Sequence, residues 1–276
     1  MNPAFRTIAL IGKYKGPEIA ESLMALAAFL KSRSIDVLVE EGTAALVGDN
    51  GFPVASYDSI GARADLAIVL GGDGSMLTAA RQLAESDVPL VGVNQGRLGF
   101  MTDLARDDML DGVADLLEGK FVSEQRFLLD ARVHRNGNLV GQADALNDVV
   151  VNSGTSARMI EFELYINDSF VYRQRADGLI VSTPTGSTAY SLSGGGPIMH
   201  PTLDAMLLVP MFPHALSSRP IVVDGNSRIR IEILARNRIH PPVTCDGQVN
   251  MTARPGDSVH LSKKSHRLTL LHPLGH

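Results

Sequence analysis

A chain of 276 residues, 45% hydrophobic and 20% charged, has the composition of an ordinary globular protein and a length of about two domains. Its single cysteine, Cys245, excludes an internal disulfide framework and any multi-cysteine zinc or iron–sulfur site. The formal net charge of -5 argues against nucleic acid or an anionic membrane as main partner; no apolar run reaches the roughly 18 residues of a membrane span and the N-terminal one is too short for a signal peptide, so a cytoplasmic protein is expected.

The first half alternates between two periods. Residues 7–12 (TIALIG) read as a buried strand. Residues 17–31 follow as a helix, with Ile19, Leu23, Leu26, Ala27 and Leu30 on one face and Pro17-Glu18 at its start. Strands are expected at 35–39, at 65–70, where DLAIVL runs straight into glycines, and at 88–94; helices are expected at 75–85 and 107–118. Strands separated by helices imply βαβ units and a parallel sheet. Near residue 122 the pattern changes to alternating apolar and polar residues. Asn136-Gly137 and Asp224-Gly225 read as hairpin turns, and 162–166, 180–182, 221–223, 229–234 and 259–261 as strands. The fold class is therefore an α/β N-terminal domain with a parallel sheet (1–122) and a mostly antiparallel C-terminal domain (123–265). A last strand at about 266–276 could return to the first domain.

Three places carry chemistry. Gly71-Gly72-Asp73-Gly74-Ser75 stands where a buried strand gives way to a helix. Glycines let a backbone approach a ligand, and the helix N-terminus near Ser75 and Met76 favours an anion such as phosphate. A carboxylate pointed into such a site needs a task; otherwise Asp73 is simply the helix N-cap. Residues 183–197 (TPTGSTAYSLSGGGP) hold six Ser/Thr hydroxyls, four glycines, two prolines and Tyr190. That is either a flexible linker or a binding segment whose hydroxyls donate to a ligand and whose Tyr190 lies against a ring. Asn147-Asp148 interrupts an apolar run and is either a turn or a polar pair in need of partners. Arg173, Arg175 and Asp177 (RQRADG) read as a solvated charge run. There is no P-loop, no G-x-G-x-x-G after a strand, no G-x-S-x-G and no H-E-x-x-H.

Taken together, GGDG at 71–74, LNDVV around Asn147-Asp148, RADGL around Asp177 and TPTGSTAYS from Thr183 resemble the NAD kinases. VNQGRLGFMTDL (93–104), MIEFELYI (159–166), LVPMFPHALSSRP (208–220) and CDGQ (245–248) look like text of the same family. Gly194 and Cys245 depart from it, standing where alanine and glycine are common. The resemblance implies an α/β domain and a β-sandwich-like domain with the substrate between them, NAD and ATP as substrates, a divalent metal (Mg²⁺ or Mn²⁺) carried with the phosphates, and a homo-oligomer, dimer or tetramer. It implies Asp73 as proton acceptor and Gly71, Gly72 and Gly74 around phosphate. By the same resemblance Asn147 and Asp148 hold the adenosine part of NAD, and Thr188, Ala189, Tyr190, Ser191, Leu192 and Ser193 form its pocket. Arg158, Arg175 and Asp177 fall around the nicotinamide half and the phosphates, and Gln248 at a further binding position. No all-protein metal cage is expected. The apolar, proline-broken stretch 208–220 is expected at a subunit interface. Two rivals remain: a lipid or sugar kinase of the GGDG type, and a dinucleotide sensor without catalysis.

Overall fold

The computed structural model describes residues 5–12, 17–48, 51–96, 99–154 and 158–274. The chain divides into two compact units, Met1–Gln125 with Arg267–His276, and Arg126–His266.

The first unit is built on a parallel sheet in the order Leu90–Asn94, Leu66–Leu70, Thr7–Gly12, Asp36–Glu40, Val54–Ala55. The end of the long strand Ser258–Pro273 lies parallel to Leu90–Asn94, with Leu270 opposite Leu90. Leu66–Leu70 and Leu90–Asn94 are buried throughout, as strands covered on both faces must be. Helix Pro17–Ser32 buries the predicted face, Ile19, Leu23, Leu26, Ala27 and Leu30. Two short helices, Glu41–Val47 and Tyr57–Arg63, were not expected. Their signal lies in the caps: the Glu40 carboxylate accepts from the Gly42 and Thr43 amides, and Ser56 Oγ from Ser59 N. Helix Asp73–Gln82 begins two residues earlier than the apolar period suggested, and Met109–Leu117 falls within its expected span.

The second unit is a pair of sheets. One contains Ser169–Ala176, Ile160–Ile166, Ile229–Ile233 and the start of Ser258–Pro273, each antiparallel to its neighbour. Phe121–Arg135 and Asn138–Ala145 form a hairpin, closed by Asn136-Gly137 at φ 50° and 80°, the left-handed pair that a primed turn needs. The other sheet is wholly antiparallel, in the order Ile221–Asp224, Ala205–Met211, Gly178–Ser182, Asp148–Asn152, Pro242–Cys245, Val249–Thr252. Their inner faces make one core: Ile160, Phe162, Leu164 and Ile231 from the first meet Val149, Val151, Leu179, Leu208 and Val243 from the second. The expected hairpin at Asp224-Gly225 is corrected. Ile221–Asp224 pairs only in the second sheet and Ile229–Ile233 only in the first, so this turn carries the chain from one sheet to the other. Among the described residues no helix is long and apolar enough to cross a membrane.

Candidate active site

In the first unit, strand Leu66–Leu70 ends at Gly71, whose φ of 155° is rarely open to a residue with a side chain. Helix Asp73–Gln82 starts at once. The capping position belongs to Gly72, and Asp73 is the first helical residue, with no side-chain cap bond. The N-cap alternative for Asp73 is thereby corrected. The reason is that its carboxylate is engaged elsewhere, accepting from the backbone amides of Phe100 (3.0 Å) and Met101 (3.1 Å). Residue 99 must be glycine for this, because a Cβ there would collide with Asp73 Oδ1. The amides of Ser75 and Met76 both donate to Gly72 O. They are not the anion donors expected of them, and an anion at this terminus meets the backbone ahead of Ser75.

The segment that holds Asp73 is itself held. Thr102 Oγ1 accepts from Asn94 Nδ2 (3.1 Å) and Gly99 N (3.3 Å), while Asn94 Oδ1 accepts from Gly96 N (2.6 Å). Gly99 to Thr102 lie in a phrase that sequence reasoning noted without giving any of its residues a role. Backbone amides leave no side-chain signature to find.

In the second unit, residues 183–197 are not a linker. They form a 3₁₀ turn, Thr185–Thr188, and a helical turn, Tyr190–Ser193. The hydroxyls are spent internally. Thr183 Oγ1 donates to Leu146 O (2.5 Å), Ser187 Oγ to Pro184 O (2.6 Å) and Ser191 Oγ to Gly186 O (2.9 Å), all buried. Thr188, half-buried, donates to Thr185 O (3.2 Å). Ser191 therefore braces the segment, while Tyr190 (46% exposed), Leu192 and Ser193 face outward and half-buried Ala189 joins the two turns. Tyr190 and Ser193 line a cavity of about 560 Å³ together with Ile180, Met211 and Phe212.

Asn147 and Asp148 sit against this segment. Thr183 N donates to Asn147 O (2.9 Å), and a Cβ on Gly186 would collide with that same carbonyl. Asn147 Oδ1 is buried without a partner. Asp246, at φ 52° in the turn that also carries Gln248, places its carboxylate on the amides of Leu146 (3.1 Å), Asn147 (2.7 Å) and Asp148 (3.2 Å). Sequence reasoning took Gln248 from that turn and missed Asp246. The Asp148 carboxyl is 4% exposed. Burial first, and the Asp246 charge second, push its pKa up to about 7, against the opposing pull of a hydrogen bond from the Tyr190 amide. Arg158 and Arg175 meet in a different cavity, of about 580 Å³, with Arg236 and Arg238. Glu161 there pairs with Arg236, leaving an excess of positive charge. Half-buried Asp177 follows strand Ser169–Ala176, its backbone bonded to Ser153 N and Met211 O.

A parallel α/β unit that ends one strand in a glycine loop, followed by a unit of two packed sheets, is a fold shared with solved nucleotide-bound proteins. The chain resembles yeast NADH kinase, solved in complex with NADH (TM-score 0.89, 23% identity, 100% of this chain and 85% of that one). It also resembles an NAD kinase from Archaeoglobus fulgidus solved in complex with ATP (TM-score 0.75, 24% identity, 97% and 94%). The ATP-NAD kinase N-terminal domain matches residues 8–121 and the ATP-NAD kinase C-terminal domain residues 146–272. NAD kinases from Chromohalobacter salexigens and Marinobacter nauticus are 55% and 52% identical over 99% of this chain and 93% and 92% of their own length. The chain belongs to the ATP-NAD kinase family.

Proposed function

We propose that the chain transfers the terminal phosphoryl group of ATP to the 2′-hydroxyl of the adenosine ribose of NAD, forming NADP and ADP, with Asp73 as proton acceptor. Membership of the family makes it an NAD kinase and removes the lipid-kinase, sugar-kinase and sensor readings. The observation that carries the role of Asp73 is its carboxylate, oriented by two backbone amides beside a glycine loop. A carboxylate has about four lone-pair sites, so two amides leave room for a hydroxyl. Phosphoryl transfer asks for position and charge stabilisation more than for covalent help. Asp73 orients the hydroxyl and takes its proton as the new P–O bond forms, and the backbone at Gly71, Gly72 and Gly74 lies against phosphate oxygens.

When bound, a divalent cation neutralises charge on the oxygens of ATP. Among the described residues no three His, Cys, Asp or Glu side chains converge to hold an ion. A cation carried by the nucleotide would meet Asp73 as the carboxylate of the loop. Asn147 Oδ1, an acceptor without a partner, suits the exocyclic amine of adenine. Tyr190 packs on the ring, with Thr188, Ala189, Leu192 and Ser193 around it, and Gln248 beside Asp246 completes the wall. Arg158 and Arg175, with Asp177, serve the nicotinamide half and the pyrophosphate. Exposed Phe212 (77%) and Leu216 (95%) support a homo-oligomeric contact through 212–220, while Leu208 and Val209 at the start of the apolar stretch belong to the core, and the protein works in the cytoplasm. The test is purified protein with ATP, Mg²⁺ and NAD, read through an NADP-dependent dehydrogenase. NADP should accumulate in step with ADP; ADP without NADP would refute the reading.

A further inference from the structure

The strap that aims Asp73 has a second anchor. Asp103 follows Thr102 directly, and its Oδ2 lies 2.5 Å from His272 Nδ1. The other ring nitrogen of His272 lies 3.2 Å from Glu124 Oε2. His272 stands on the end of strand Ser258–Pro273 and Glu124 on strand Phe121–Arg135, both far in sequence from the glycine loop. The connected path is short: the Asp73 carboxylate, the amides of Phe100 and Met101, Thr102, Asp103, His272. Leu104, next along the chain, pairs with Val93 in the sheet. The strap is thus pinned by Asn94 through Thr102, by the sheet at Leu104, and by His272 through Asp103. Of these pins only His272 acts on the strap from the C-terminal end of the chain.

We infer that His272 is a positioning residue for Asp73, acting through Asp103 to fix the strap whose two amides aim the carboxylate. The inference rests on Asp73 being the proton acceptor as far as rate is concerned. Its geometric half stands apart from that reading, since amide exchange at residues 100 and 101 reports the strap directly. Removing the ring leaves Asp103 without its partner and lets the amides drift from the Asp73 oxygens. Displacement of a reacting group by about 1 Å can cost on the order of a hundredfold in rate. Binding of NAD through Asn147 and Tyr190 does not use the strap, so KM is spared.

The experiment compares His272→Phe, His272→Asn and Asp103→Ala in the whole chain, with hydrogen exchange at Phe100 and Met101, kcat, KM for NAD and Tm. In His272→Phe the two amides should exchange at least about tenfold faster, as local opening becomes easier. Its kcat should fall about tenfold or more with KM within about twofold, as an orientation effect does. His272→Asn, whose side-chain amide can donate to Asp103, should recover both. Placed on Asp73→Asn, His272→Phe should cost nothing further, because the two act through one carboxylate. Unchanged exchange and kcat in a folded His272→Phe would overturn the inference. So would a full additive loss on Asp73→Asn. Faster exchange with unchanged kcat would overturn its catalytic half. A normal kcat in Asp73→Asn would instead refute the proton-acceptor reading while exchange still decided the strap. Should His272→Phe not fold, Asp103→Ala removes the same contact from the other side, with the same results expected and the same results contradicting.

Discussion

The glycine loop at 71–75 and the hydroxyl-rich segment at 183–193 read alike in the sequence, as small polar residues gathered where a ligand could approach. The structure uses them in opposite ways. At the first, backbone from a distant segment holds a side chain out for use: Phe100 and Met101 amides grip the Asp73 carboxylate. At the second, the hydroxyls of Thr183, Ser187 and Ser191 turn inward and bind carbonyls, replacing the backbone bonds that so irregular a segment cannot make for itself. What remains outward is Tyr190, Leu192 and Ser193. A run of Ser and Thr is therefore as much a folding device as a donor array.

Two glycine substitutions separate these uses most sharply. Gly99→Ala pushes a methyl into the Asp73 carboxylate, the free end of a side chain. The protein should fold with little change in Tm and lose on the order of a hundredfold in kcat, the cost of a misplaced reacting group. Gly186→Ala pushes a methyl into the Asn147 carbonyl, which is backbone and cannot step aside. Here stability should fall by about 1–3 kcal/mol, as for overpacking, readable as a lower urea midpoint. If Gly186→Ala melted normally and Gly99→Ala did not, the contrast between the two regions would be reversed. Tyr190→Ala tests the outward face: KM for NAD should rise about tenfold, within the ~1–3 kcal/mol that stacking on a base contributes. An unchanged KM would remove Tyr190 from the pocket.

The last effect is on pH dependence. Asp148 has its carboxyl raised from 3.8 to about 7, chiefly by burial. Between about pH 4 and pH 7 the folded chain keeps a proton that the unfolded chain has lost, so this group lowers stability as pH rises through that window and no further above it. Asp148→Asn should flatten that decline and gain stability at pH 8, by at most about 1.4 kcal/mol for each unit of the shift, while matching the parent near pH 4. Denaturant midpoints at the two pH values check this, and a loss at pH 8 would mean that the charged form is the one the fold prefers.

Much of the first unit was legible because parallel strands buried on both faces, such as LAIVL at 66–70, are continuous apolar runs. Glu41–Val47 and Tyr57–Arg63 were not, since seven residues are too few for a helical period to stand out. Asp224-Gly225 announced a turn correctly, but a dipeptide does not say which sheets it joins. Of the proposed site residues, Asp73, Asn147, Asp148 and Tyr190 stand out in the sequence as side chains in telling contexts. Asp246 and the 99–103 strap were not, because their work is done through backbone amides: three on the Asp246 carboxylate and two on that of Asp73.

The central claim is that Asp73 takes the proton of the hydroxyl that is phosphorylated. Asp73→Asn keeps the shape, but Phe100 and Met101 donate to different oxygens of Asp73, so the amide can accept from one of them and not from both, and it cannot take a proton. Steady-state kcat of that variant, beside its Tm, is the direct measurement. The account predicts a folded variant that is less stable by about 1–3 kcal/mol, for the one amide left without an acceptor, and a loss of at least ~10² in kcat, the lower end of what a general base contributes. A kcat within about threefold of the parent, far below that range, would contradict it.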